Sequence, residues 1–523
     1  MMPHDIQEHS GEGDSECADL LESELNVSLK PLVVKAGQNG NVFVAKRRQE
    51  AGDGWATTKQ IVAAIFASLS SVSIGFITAY SSLTLPQLRN DTSIDYVDAR
   101  DSGWIASLPS ISSILGSLMG GFVMDAIGPR TTLVMTALPC LLSWSFVAFA
   151  NSIALIYVGR FITGIFLGIF SPVPQVYATE IAEPRIRGLM GAFPEAAVAL
   201  GSLLCYGFGS AMDWRWLAVM SALVPGIPLF ISMVILPESP QWLTKKGKLE
   251  KATMSLEYFR SETHNIKAEV EAIHTNIIET AGSELSMWDQ LYLFKKPQNW
   301  KPVLIVFLVF MCGQFSGFAV VTAYTVDIFN QANTNIDSNT ATIIVGFVRF
   351  MSTLVSAVLL DRAGRKPLLI ISAIGSSIGM MSIGIFFYLD EEKSSEGLGW
   401  LPLASLLIYV FFNELGYGPI PWLLSGELIP LAVRTIGNGV AVTAYSLFAF
   451  IIGLTFPMLT DLLKTYIVFW MYAVFSLSGV GLGIFLPETR GRTLEEIEKF
   501  FAPKRSESFS GETPLSKTPE PEP

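Results

Sequence analysis

Apolar residues in this chain gather in long runs, instead of alternating or marking one face of a helix as in a water-facing fold. A helix needs about 20 mostly apolar residues to cross ~30 Å of hydrocarbon. Twelve runs reach that length: 61–83, 104–123, 131–150, 153–174, 188–209, 216–236, 303–325, 340–360, 368–388, 402–424, 435–459 and 467–486. An isolated strand would leave its backbone donors unpaired in lipid, so each run predicts a helix. The expected fold class is an all-α membrane protein of twelve transmembrane helices in two six-helix bundles. The polar stretch 237–302 separates the bundles. Within it, 248–260 and 266–281 place apolar residues at helical period and predict two or three short helices. The expected organisation is a polar tail (1–55), a first bundle (56–236), linker helices (237–302), a second bundle (303–486) and a second tail (487–523). The first apolar run is too long for a signal peptide, so no leader is expected.

Composition narrows the function. Charged residues make up 15% of the chain and hydrophobic ones 50%, against about 25% charged in soluble proteins. The net charge of −11 counts against nucleic acid, which needs a basic face. Cys17, Cys140, Cys205 and Cys312 are too far apart to suggest a disulfide framework or zinc site. With no Walker loop, metal-ligand cluster or nucleophile–base spacing, no cofactor, metal or enzymatic activity is expected. His4, His9, His264 and His274 all lie outside the runs and are not candidate proton relays.

Charge placement orients the chain. Twelve spans put both ends on one side. Arg89, Arg100, Arg215, Lys393 and Lys464 fall in loops on the opposite side; Arg160 and Arg349 fall within runs; the other Lys and Arg residues lie with the ends. Basic residues favour the cytoplasm, so both termini are expected there. The plasma membrane is the first expectation and an endosomal or lysosomal membrane the alternative. The sequon Asn90-Asp91-Thr92 falls in the first outside loop, which makes Asn90 a candidate glycosylation site. Glu16 to Leu20-Leu21 fits an acidic dileucine signal read by sorting adaptors.

Three patterns occur twice, in the same order. Asp125-x2-Gly128-x-Arg130 returns as Asp361-x2-Gly364-x-Lys366; Glu180-x6-Arg187 returns as Glu427-x6-Arg434; Pro237-Glu238-Ser239 returns as Pro487-Glu488-Thr489. Similar offsets imply two related halves, a plan of transporters that rock around a midplane site. Asp125, Arg130, Glu180, Arg187, Glu238, Asp361, Arg365, Glu427, Arg434 and Glu488 all fall at the cytoplasmic ends of spans. They are expected to form acid–base pairs that latch the halves on that side. An exposed pair is worth only ~0–1 kcal/mol, weak enough to release.

These motifs resemble the sugar porter family of the major facilitator superfamily. The resemblance covers roughly 55–502. It is carried by 121–130, by Gly159-Arg160-Phe161-Ile162-Thr163-Gly164, by Tyr177-x2-Glu180 with Arg187-Gly188, and by Pro237-Glu238-Ser239-Pro240. Further along come 361–366, Gly418-Pro419-Ile420-Pro421-Trp422 and Pro487-Glu488-Thr489-Arg490-Gly491. Gly75-Phe76-Ile77-Thr78-Ala79-Tyr80-Ser81 resembles the arthropod trehalose-facilitator branch. The resemblance implies alternating access, with sugar held mainly by the second half and with spans seven and ten as gates.

By the same resemblance, Gln314, Glu414 and Trp422 match sugar-contacting positions of the family. Other positions depart from it: Tyr445-Ser446 replaces an Asn-Trp pair, Glu195 replaces a glutamine and Arg349 an asparagine. A charge at the bilayer centre costs at least ~2.5–3.5 kcal/mol. Glu195 and Arg349 are therefore expected to pair with each other across the halves or with substrate. Proton-linked members of the family usually carry an aspartate in span one, but 61–83 contains no acid. Facilitated diffusion of trehalose or a hexose is the leading expectation. Proton-coupled symport of a sugar, polyol or other solute through Glu195 or Glu414 stays open, and a transporter-like nutrient sensor ranks last.

Overall fold

The computed structural model describes residues 39–261, 264–281, 287–334, 336–490, 492 and 494–501. The possible sorting signal at Leu20 and Leu21 lies outside the described residues, as does Cys17. Among the described residues every regular element is helical.

Among the described residues twelve helices are long and apolar enough to cross a membrane. In order, spans one to twelve are Gly54–Asn90, Ala99–Ile127, Pro129–Ala148, Ile153–Ile181, Arg187–Gly209, Trp214–Ile235, Pro297–Gln331, Ser338–Leu360, Arg365–Glu391, Leu401–Leu428, Arg434–Leu462 and Thr465–Phe485. Each contains most or all of one predicted run. Several extend beyond it, because an apolar run marks only the part immersed in lipid while the helix continues into polar surroundings.

Three spans are interrupted. Span four breaks between Phe170 and Val173, span seven between Phe315 and Phe318, and span ten between Leu415 and Ile420. Proline stands at the start of the second segment in spans four and ten, at Pro172-Val173-Pro174 and Pro419-Ile420-Pro421. Proline removes a backbone donor and stops the preceding helix. The two breaks are a further copy of the repeat, one that the loop motifs alone did not reveal.

The packing has the same twofold logic. In the first half span one packs on five, two on four and three on six. In the second, seven packs on eleven, eight on ten and nine on twelve. Between the halves, two meets eleven and five meets eight. Gly164 and Gly168 let spans two and four approach closely; a Cβ on Gly168 would lie 2.1 Å from the Ser113 carbonyl.

The linker forms Pro240–Lys245, Leu249–Phe259, Ile266–Ala281 and Met287–Leu293, including both helices expected from periodicity. It defines the linker face of the molecule; the opposite side is the far face. Arg260 pins the linker to the first half, donating from Nη1 to the Ile181 carbonyl at 2.8 Å and pairing with Glu269 at 2.7 Å. After span twelve a short helix, Leu494–Phe501, buries Ile497 and Phe501 against span seven. Within the expected tail 487–523, the sequence reading did not anticipate it.

Candidate functional site

The halves meet at mid-depth around a buried guanidinium. Arg349 is the middle residue of span eight. Its Nε donates to Glu414 Oε1 at 2.8 Å and its Nη1 to Ser202 Oγ at 3.1 Å. The side chains of Arg349 and Glu414 are 9% and 3% exposed, so each charge depends on the other. Breaking such a pair strands a buried charge at a cost of about 3–5 kcal/mol. Thr353 Oγ1 lies 3.5 Å from Glu414 Oε2. Glu414 is the penultimate residue before the break in span ten.

This differs from the expected pairing. Arg349 reaches the first half through the hydroxyl of Ser202, and its carboxylate partner is Glu414 in its own half. Glu195, half-buried on span five, makes no ion pair among the described residues. Glu414 Oε1 accepts directly from Nε, while Ser202, two helical turns beyond Glu195, takes the cross-interface position.

An aromatic cluster stands nearby in the second half. Phe310, Trp422 and Tyr445 form a triangle, with ring centroids 4.9, 5.1 and 5.8 Å apart. Gln314 follows Phe310 by one helical turn, which puts both on one face. It is 4% exposed, and its Oε1 has no hydrogen-bond partner. An unmet buried acceptor costs ~1–3 kcal/mol. Trp422 and Tyr445 are half-buried. The geometry therefore offers an aromatic wall and an unused amide oxygen within one region.

Arg160 is satisfied without any acid. Its Nε donates to the Ile105 carbonyl at 3.0 Å, Nη1 to the Ile77 carbonyl at 2.9 Å and Nη2 to Ser81 Oγ at 2.9 Å. These bonds join span four to spans one and two.

The charges at the linker face pair within their own half. Glu238 caps span three: Oε1 accepts from Arg130 N at 2.9 Å and Oε2 from Thr131 N at 3.0 Å. Glu488 does the same for span nine, accepting from Arg365 N and Lys366 N at 3.1 Å each. A carboxylate on the exposed amides of a helix start is favoured by the dipole as well as by the bonds. Glu180 accepts from Ser239 Oγ, and its repeat equivalent Glu427 accepts from Thr489 Oγ1 at 2.5 Å and Arg365 Nη2 at 2.7 Å. Asp125 pairs with Lys245 at 3.0 Å and Lys246 at 3.3 Å. Arg130 donates to the Met233 carbonyl at 2.7 Å and Arg434 to that of Gly426 at 3.3 Å. Arg187 is exposed, and the side chain of Asp361 lies outside the described residues. In this conformation, none of these described charges bridges the halves.

Hydrogen bonds between the halves lie instead at mid-depth and toward the far face, among the described residues. Ser113 Oγ and Ser446 Oγ are 2.9 Å apart. Tyr206 OH donates to the Thr322 carbonyl at 3.1 Å, and Val326 N to Ser82 Oγ at 3.3 Å. At the far face Arg89 Nη1 pairs with Asp327 Oδ1 at 3.0 Å, while its Nε and Nη2 hold Ser102 Oγ. Asn90 is exposed at the far end of span one, its Nδ2 donating to the Pro86 carbonyl at 3.1 Å.

Residues 59–501 match the family described as "Sugar (and other) transporter". The chain belongs to that family. It is 38% identical over 449 residues to the facilitated trehalose transporter Tret1 of Apis mellifera ligustica, covering 85% of this chain and 88% of that protein. It is likewise 38% identical to a Tret1-2 homolog of Drosophila simulans over 447 residues, 85% of this chain and 91% of the relative. Among solved structures it resembles the inward-open xylose transporter XylE of E. coli, with a TM-score of 0.71 at 25% identity over 84% of this chain and 99% of that one. The proton:xylose symporter XylE bound to 6-bromo-6-deoxy-D-glucose gives a TM-score of 0.68 at 26% identity, over 85% of this chain and 100% of that chain.

For this family member, reasoning on motifs singled out Gln314, Glu414, Trp422, Tyr445, Arg349 and Glu195, but not Ser202, Arg89 or Asp327. Asp327 carried a usable signal, as a lone acid two residues past the run 303–325, in what becomes the second segment of span seven. Ser202 carried none, since a serine among apolar residues is common in helices.

Proposed function

We propose that this chain carries a sugar, trehalose or a hexose, across a membrane by alternating access and without a coupled ion. The observation that carries this reading is Gln314, whose buried Oε1 is unpaired beside the Phe310–Trp422–Tyr445 wall. A sugar offers hydroxyl donors to such an oxygen and a C–H face to such rings. Glu414, Arg349, Glu195 and Tyr445 complete the proposed binding region. The relatives' printed function, facilitated trehalose transport, agrees. Uniport is supported further by Arg160, whose donors end on carbonyls and a hydroxyl with no titratable partner.

The present conformation fits a far face that is closed by Arg89–Asp327 and a linker face that is open. In the alternate state the linker-face charges, now paired within each half, would approach across the halves and act as the inner latch. The ends and linker are assigned to the cytoplasm from the Lys and Arg distribution, with the plasma membrane as the proposed location and Asn90 as an external glycosylation site. The test is uptake by transporter-deficient cells expressing the chain. Saturable trehalose or hexose uptake that persists after the pH gradient is collapsed is the expected result. No sugar uptake despite verified surface expression would overturn it. The second reading, proton symport, is favoured by Glu195, a midplane acid with no ion pair among the described residues. Under it, uptake would fall with the gradient and Glu195→Gln would remove that dependence.

A further inference from the structure

A groove of about 610 Å³ lies between spans two and four at the far face, away from the central site. Its lining changes character with depth. Asp98, Arg100 and Asp101 stand at the mouth, Trp104 and Tyr157 come next, and Leu108, Phe161 and Ile162 follow. From Asp98 to Leu108 span two rises about 15 Å. That is the thickness of one hydrocarbon leaflet, half of the ~30 Å core. The groove therefore runs from headgroup level toward the bilayer middle, polar where lipid is polar and apolar where lipid is apolar.

We propose that this groove is a binding site for one zwitterionic phospholipid of the far-face leaflet. The charge pattern selects the headgroup. Two carboxylates and one guanidinium give the mouth a net negative charge, which opposes an anionic lipid. A phosphate next to a terminal ammonium matches Arg100 and the two acids in turn. The acids are fixed in place before any lipid arrives. Asp98 Oδ1 accepts from Asp101 N at 2.6 Å as the cap of span two, and Asp101 Oδ1 accepts from Tyr157 OH at 2.7 Å. Each carboxylate keeps acceptor capacity for an ammonium donor. Arg100 is exposed and enters no ion pair among the described residues. Phe161 and Val158, 38% and 47% exposed, form the apolar floor on which an acyl chain lies.

The site also touches the interface between the halves. Trp104 lines the groove and packs on Phe450 of span eleven, ring centroids 5.7 Å apart, across the two halves. A bound lipid would thus press on a contact that has to move when the halves rock.

The test is native mass spectrometry of the full-length protein from bilayers containing phosphatidylethanolamine and phosphatidylglycerol in equal amounts. The wild type is expected to retain one phosphatidylethanolamine in preference to phosphatidylglycerol. Arg100→Ala and Asp101→Asn are each expected to reduce that retention roughly tenfold, the scale of one lost charged hydrogen bond. Leu108→Trp, which fills the groove and leaves the charges alone, should reduce it as well. Equal retention of the two lipids, or retention unchanged in all three variants, would overturn the proposal. Either result leaves the sugar-uptake reading untouched, since none of these residues lies in the central site.

Discussion

Arg89 and Asp327 lie 3.0 Å apart on opposite halves and form an ion pair that ties them together at the far face. Asp327 is largely buried while Arg89 is about one-third exposed, so solvent screens part of the attraction. Removing either partner should favour opening of the far face by about 1–3 kcal/mol. Arg89→Ala and Asp327→Asn are each expected to raise the labelling rate of a cysteine placed in the central region by a reagent added from the far side. Labelling at the wild-type rate in both variants would show that the pair does not hold the closed state.

The Arg349–Glu414 pair makes a different prediction, because it is buried within one half. Glu414→Gln strands the guanidinium and should lower stability by about 3–5 kcal/mol. Arg349→Gln combined with Glu414→Gln leaves no charge unpaired and should recover most of that loss. Sugar uptake should stay at least tenfold down in the double variant if Glu414 contacts substrate. Thermal unfolding in detergent and uptake, measured side by side, separate the structural role from the binding role.

Gly128 and Gly364 join consecutive spans in the two halves, with φ +96° and +86°. A Cβ would come within 2.6 Å of the Glu238 carboxylate at Gly128 and 2.8 Å of that of Glu488 at Gly364. Alanine at either site pays for both the backbone and the displaced acid, about 1–3 kcal/mol. Each substitution should lower Tm, and the two losses should add, since the sites share no contact. Gly439→Ala, which would meet nothing within 4 Å, serves as the neutral control.

Glu488 gives the pH dependence. Partial burial pushes its carboxyl up, but amide donors from Arg365, Arg490 and Lys366 outweigh that and hold it below the usual 4.5. A depressed folded value contributes stability that is present above pH 4.5 and lost as pH falls toward the lower folded value. Between those limits the wild type should lose stability more steeply than Glu488→Gln. Parallel curves for the two proteins would count against the cap.

How far the sequence could be read depended on what kind of information each feature carries. The spans were legible because lipid demands twenty apolar residues in a row. The repeat was legible because glycine, proline and acid recur at fixed positions around helix ends. The partner of Arg349 was not, because Glu195 and Glu414 are both acids within apolar runs and only the three-dimensional packing brings Glu414 to the guanidinium. The linker-face acids suggest a latch between halves from their positions alone, and in this conformation Glu238 and Glu488 cap helices within them. A carboxylate can satisfy backbone amides as well as a guanidinium, and no spacing rule distinguishes these uses. The Leu494–Phe501 helix escaped because eight residues are too few for periodicity to stand out from a charged tail.

The bonds Arg349–Ser202 and Ser113–Ser446 have a mechanical consequence. They lie at or near the middle of their spans, one on the five–eight contact and the other on the two–eleven contact. Together they define an axle through the molecule. Parts close to an axle move least when it turns, so both bonds can survive the swing. The balance between the two poses is then decided at the rims, where Arg89 and Asp327 hold one side, and a single charge altered there shifts the whole lever.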